Sequence, residues 1–183
     1  MRNQKGQSLI EALIALGAAV VIVSAITIAS ITAMNNSDYS KYQNLATHYA
    51  EQGIEILRQN SQTSWNTFSG LAGVNPHHNT YCFGQDVTDV SHLQAIAVGD
   101  CDTPNIKNEK GTEFFVRQFS LINYITAQSL PNPTTDNFAC NGIIRATVTV
   151  SWTDGKCTDT DNLYCHKVSF DSCFANVNQV PVP

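Results

Sequence analysis

The chain has 183 residues, 14% of them charged, and a formal net charge of −5. That length fits one modest domain plus an appendage, and the charged fraction lies well below the roughly 25% of soluble domains. No basic patch draws nucleic acid or anionic lipid by bulk attraction. Without residues 1–6, which include Arg2 and Lys5, the count would be 8 basic against 15 acidic residues, or −7. The charge deficit is uneven, since no charged side chain occurs between Ala12 and Ser37. The remainder is polar, rich in Asn, Thr, Ser and Asp, and reads as exported rather than cytosolic.

The N-terminus comes first. Residues 1–6 are short and basic, Gln7-Ser8-Leu9-Ile10-Glu11 follows, and 23 uncharged residues run from Ala12 to Met34. About 20 apolar residues cross a hydrocarbon core, so this run is long enough to span. Arg2 and Lys5 predict a cytoplasmic N-terminus by the positive-inside rule. An ordinary secretory signal is cut after its apolar stretch; here Gly6 precedes it, so a cut at Gly6 keeps the helix in the mature chain. Small residues such as Ala15, Gly17 and Ala18 suit close helix–helix approach, and Ser24, Thr27, Ser30 and Thr32 have carbonyls to bond within or between helices. Glu11 places a carboxylate at the edge of an apolar span, where it demands a partner and reads as functional.

Lys5-Gly6-Gln7-Ser8-Leu9-Ile10-Glu11 followed at once by an apolar run resembles the prepilin motif of the type IV pilin and pseudopilin family, with its class III signal peptide. The resemblance implies that prepilin peptidase removes residues 1–6, that Gln7 becomes an N-methylated N-terminus, and that residues 7–36 form a membrane and filament-core helix. It further implies that Glu11, fifth in the mature chain, neutralises the N-terminal amine of an adjacent subunit. Two opposite charges meeting in a low-dielectric core relieve each other's desolvation. The sequence departs from many pilins at Gln7, where Phe or Met is common, and at Ile28, where major pilins often carry proline.

Beyond Ser37 the pattern turns amphipathic. Tyr42, Leu45, Ala46, Tyr49, Ala50, Gly53, Ile54 and Leu57 form a helical stripe, with Lys41, Glu51, Glu55 and Arg58 mostly off it. One helix over about residues 8–59 is expected, roughly 78 Å long at 1.5 Å per residue, its second half packed against an exported head spanning 37–183. The stretch from Ala50 through Glu51, Gln52, Gly53 and Ile54 to Glu55 is similar to one found in minor pilins and secretion pseudopilins.

From Ser61 to Thr112 the sequence is turn-rich, which predicts loops with short elements, the type of segment that carries binding on a scaffold. Phe114–Leu121 reads as a strand, and Leu130–Pro133 breaks the pattern. Ile143–Trp152 alternates with period two, and after a turn near Gly155 a last strand is expected over Leu163–Phe170. The fold class is therefore α+β: a long N-terminal helix on a three- or four-stranded antiparallel sheet with disulfide-stapled loops, a pilin-like arrangement.

Six cysteines, none before Cys82, favour disulfides made in an oxidising compartment. Zinc frameworks usually carry a tighter cluster, and Cys165 beside His166 is the nearest approach to one. The expected strand ends select Cys82–Cys101, Cys140–Cys173 and Cys157–Cys165 from fifteen connectivities.

Other constellations carry less. Asp154, Asp159, Asp161 and Asn162 have the oxygen density for Ca²⁺, and some pseudopilins bind calcium in this region. They do not match an EF-hand loop, and a solvated acidic turn with no cofactor is the expectation. His77 and His78 read as exposed, and no nucleophile elbow or phosphate-cradling loop occurs, so no enzyme is expected. The resemblance implies a filament subunit, partnered by prepilin peptidase and by copies of itself or other pilins, held in the inner membrane before assembly into a pilus or periplasmic pseudopilus. The alternative is a low-abundance minor pilin or pseudopilin that binds or primes in adhesion, secretion or DNA uptake.

Overall fold

The computed structural model describes residues 7–72, 79–93, 95–96, 101, 103–108, 111–123, 140, 144–154, 157 and 164–176. Gly6, His77, His78, Asp159, Asp161 and the break at 130–133 lie outside these residues. The chain divides into two units, Met1–Tyr42 and Gln43–Pro183.

Helix α1 runs over Gln7–Thr63. In its first unit no proline interrupts the ladder, and the apolar side chains from Leu9 to Met34 are 54–69% exposed. The hydroxyls of Ser24, Thr27 and Thr32 donate to the carbonyls of Val20, Val23 and Ile28 at 2.8–3.0 Å. Of the two options open to them in the sequence, these three take the bond within the helix.

In the second unit α1 ends four residues later than expected. Ser61 and Thr63 donate to the carbonyls of Arg58 and Gln59, and such local bonds carry polar residues through a last turn that hydrophobic periodicity does not mark. Ser64 then leaves the helical conformation, at φ −149° and ψ 88°, and a short helix α2 follows over Trp65–Leu71. Its Phe68 is buried and meets Phe174 edge-on at 5.3 Å.

Among the described residues the sheet is antiparallel and has six strands: β1 (Asn79–Cys82), β2 (Ala95–Ile96), β3 (Ile106–Lys107), β4 (Glu113–Asn123), β5 (Ile144–Trp152) and β6 (His166–Phe174). The order is β2-β1-β4-β5-β6, with β3 also pairing β4. This exceeds the expected three or four strands because β1, β2 and β3 hold two to four residues each, too few to show a period in sequence. The last strand also sits further along than the expected 163–170, since pairing of Trp152 with His166 starts it after the Cys157–Cys165 bridge. A hairpin with Gly111 at φ 75° joins β3 to β4, and glycine adopts that left-handed backbone at no steric cost.

The core lies between the sheet and residues 46–57 of α1. β5 alternates without fault, burying Ile144, Ala146, Val148, Val150 and Trp152. β4 contributes Phe115, Phe119 and Leu121, and the helix contributes Ala46, Ala50 and Leu57. Helix and sheet approach closely at Gly53: a Cβ there would stand 2.8 Å from Val148 Cγ1 and 3.0 Å from Phe83 Cζ.

Arg117 occupies an inward position of β4 and is fully buried. Its Nη1 donates to Tyr49 O (3.3 Å) and Gln52 Oε1 (3.1 Å), its Nη2 to Gly84 O (2.6 Å) and its Nε to Phe83 O (3.4 Å). The guanidinium also stands 4.1 Å from the centre of the Phe83 ring, within cation–π range. Burial pulls its pKa down to about 10, against the opposing influence of Tyr49, so it remains a cation at neutral pH. Arg117→Ala strands several buried carbonyls and should cost about 3 kcal/mol or more. Arg117→Lys should recover little, because an ammonium lacks the planar fork. Thermal unfolding of the detergent-solubilised full chain checks this, and wild-type stability in the lysine variant would contradict it.

Candidate functional site

Two regions carry chemistry. In the first unit, Glu11 lies one turn into α1, where Ile10, Ile14 and Ala15 line a shallow hollow beside it. Among the described residues, no hydrogen bond or ion pair reaches its carboxylate. By length and composition α1 is long and apolar enough to cross a membrane, and its most apolar stretch is wholly unburied. A helix with satisfied backbone and self-bonded hydroxyls meets the requirement of a hydrocarbon solvent. Apart from its chain neighbours and its own helical backbone, Gly17 has nothing within 4 Å of where a Cβ would stand, leaving room for close approach of another helix.

The second region is the head. Three disulfides join Cys82 to Cys101, Cys140 to Cys173 and Cys157 to Cys165, the pairing drawn from the strand ends. Near the Cys157–Cys165 bridge, His166 Nε2 stands 3.1 Å from Asp154 Oδ2, and the Trp152 ring lies 5.4 Å from the imidazole at a 31° tilt. Asp154 thus faces a histidine, whereas the other three calcium candidates, Asp159, Asp161 and Asn162, fall outside the described residues.

Within the stretch expected to form binding loops, Asn60 holds residues 88–90 to the end of α1. Its Nδ2 donates to Ile56 O and Thr88 O, and its Oδ1 accepts from Val90 N. Beside it, Thr63, Thr67, Phe68, Thr88 and Val90 help to line an open hollow. Sequence reasoning passed over Arg117, yet a signal existed: with period two it shares a face with Phe115, Phe119 and Leu121. It also passed over Asp154 and His166 as a pair, which only strand register brings together.

Comparison with protein-family models, with curated proteins and with solved structures gives no match for this chain.

On the outer sheet face, Asp171 accepts from Arg145 Nε at 3.0 Å and from the Thr147 hydroxyl. Partial burial acts to raise the Asp171 pKa, but these two hydrogen bonds and the Arg145 charge outweigh it and hold the carboxyl below its ordinary value. A lowered folded-state value contributes stability at pH above the unfolded carboxyl value and loses it as pH falls through the folded one. Asp171→Asn should therefore be less stable than wild type at pH 7, by about 1 kcal/mol for a partly solvent-accessible pair. The difference should close on acidification below the ordinary aspartate range, as followed by melting temperature against pH.

Proposed function

We propose that the chain is a subunit of a type IV pilus or a related filament, cut after Gly6, N-methylated at Gln7, and assembled through its apolar helix. The observation that carries this reading is the conjunction of Gly6, Glu11 five residues on, and an uncharged helix with an exposed apolar surface. A carboxylate at the head of such a span needs a countercharge from elsewhere, and a new N-terminal amine on a neighbouring subunit supplies one. The α+β head, with its helix, antiparallel sheet and three disulfides, suits life outside the cytoplasm.

A second reading, a low-abundance subunit that binds or primes, draws support from the stretch Ala50 to Glu55 and from the hollow beside Asn60. Subunit abundance in sheared filaments separates the two.

Intact mass and N-terminal peptide mass spectrometry of the protein from cell envelopes should find a chain starting at methylated Gln7. A chain retaining residues 1–6 in peptidase-positive cells would reduce the helix to a plain anchor. Glu11→Ala should leave membrane insertion intact while lowering incorporation into filaments, scored by comparing membrane and sheared fractions. Normal incorporation would remove the role assigned to the carboxylate.

A further inference from the structure

We propose that Asp154, Cys157, Cys165 and His166 form a zinc site when the Cys157–Cys165 bridge is open, so that disulfide and metal are alternative clasps for the β5–β6 connection. One ligand atom from each of the four residues lies within 4.8 Å of all the others. Tetrahedral zinc, at about 2.3 Å to sulfur and 2.0–2.2 Å to nitrogen or oxygen, sets its ligand atoms roughly 3.3–3.8 Å apart. Opening the bridge moves the two sulfurs apart toward that spacing. Two thiolates, an imidazole and a carboxylate are a zinc donor set, and the sulfurs exclude a hard cation such as Ca²⁺. The frame is already built: Asp154 and His166 flank the paired end of β5 and β6, and buried Trp152 backs the imidazole.

Of the three bridges this one is the most open to exchange. It closes the shortest loop, a separation of 8 residues against 19 and 33, so loop entropy stabilises it least. Neither cysteine of this bridge is buried and Cys165 is exposed, whereas each of the other two bridges includes a buried cysteine, Cys101 or Cys140, although Cys173 is also exposed. An attacking thiolate reaches Cys165 Sγ and expels Cys157 as a thiolate. Cys157 Sγ already accepts from the Thr153 hydroxyl at 3.4 Å and from the Cys165 N–H at 3.3 Å, and hydrogen bonds of this kind stabilise a leaving thiolate.

The chemistry balances. A dithiol reductant gives two electrons and two protons, becoming a disulfide, and leaves Cys157 and Cys165 as thiols. Zn²⁺ then displaces the two thiol protons. Oxidation by a disulfide returns the bridge and releases the metal. A newly synthesised chain, its thiols not yet oxidised, reaches the metal-binding state without a reductant. The inference stands on head residues alone and does not depend on the filament reading.

The test uses the full chain in detergent. Limiting phosphine reduction followed by alkylation and peptide mapping should label Cys157 and Cys165 first; earlier labelling of another bridge overturns the proposal. Co²⁺, a spectroscopic stand-in for zinc, should then bind one per chain with thiolate charge-transfer bands and intense visible bands of a tetrahedral site. Cys157→Ser with Cys165→Ser should abolish that spectrum while the other four cysteines remain. Asp154→Ala and His166→Ala should each weaken binding at least about tenfold, since loss of even an outer-shell partner costs 10–100-fold. No thiolate spectrum in the reduced wild type, or one that survives the double serine variant or is indifferent to both alanine variants, overturns it.

Discussion

The buried guanidinium of Arg117 is the constraint on which the head depends. An unpaired ion in a protein interior is prohibitive unless its environment replaces water. Here the replacement is a ring of oxygens: two from α1 (Tyr49 and Gln52) and two from the segment leaving β1 (Phe83 and Gly84). The two pairs belong to different stretches of chain, so solvating the cation ties the helix and the segment after β1 to β4 at once. A Leu at the same position would fill the volume but impose no such register.

The same residue organises the edge of β4. β1 pairs with residues 118–121 and β3 with residues 113 and 115, leaving Arg117 between them on that edge. Asn105 completes the gap: its Oδ1 accepts from Arg117 N at 2.8 Å and its Nδ2 donates to Arg117 O at 2.9 Å. A side-chain amide thereby stands in for a peptide of the ladder, and the buried backbone groups are satisfied as interiors require. The Cys82–Cys101 bridge lies next to this edge, with Cys101 N donating to the Gln118 side chain.

Helix α1 presents two kinds of surface. Its residues from Leu9 to Met34 expose apolar surface and turn hydroxyls inward on their own backbone, as a hydrocarbon medium requires. Its residues from Ala46 to Leu57 present small side chains to a sheet, with Gly53 allowing Val148 and Phe83 to come close.

Sequence by itself determined what local pattern and covalent chemistry determine. The uncharged run and helical stripe marked α1, the alternation over 144–152 marked β5, and the even, late cysteines marked a disulfide-bonded head, because periods of 3.6 and 2 and the pairing of thiols are written in the order of residues. Glu11 stood out because a carboxylate is conspicuous in an apolar run. Tertiary structure alone decided the short strands β1, β2 and β3, the shift of β6, the solvation of Arg117 and the meeting of Asp154 with His166. Those depend on backbone pairing and on side chains far apart in sequence, and neither leaves a periodic trace along a single chain.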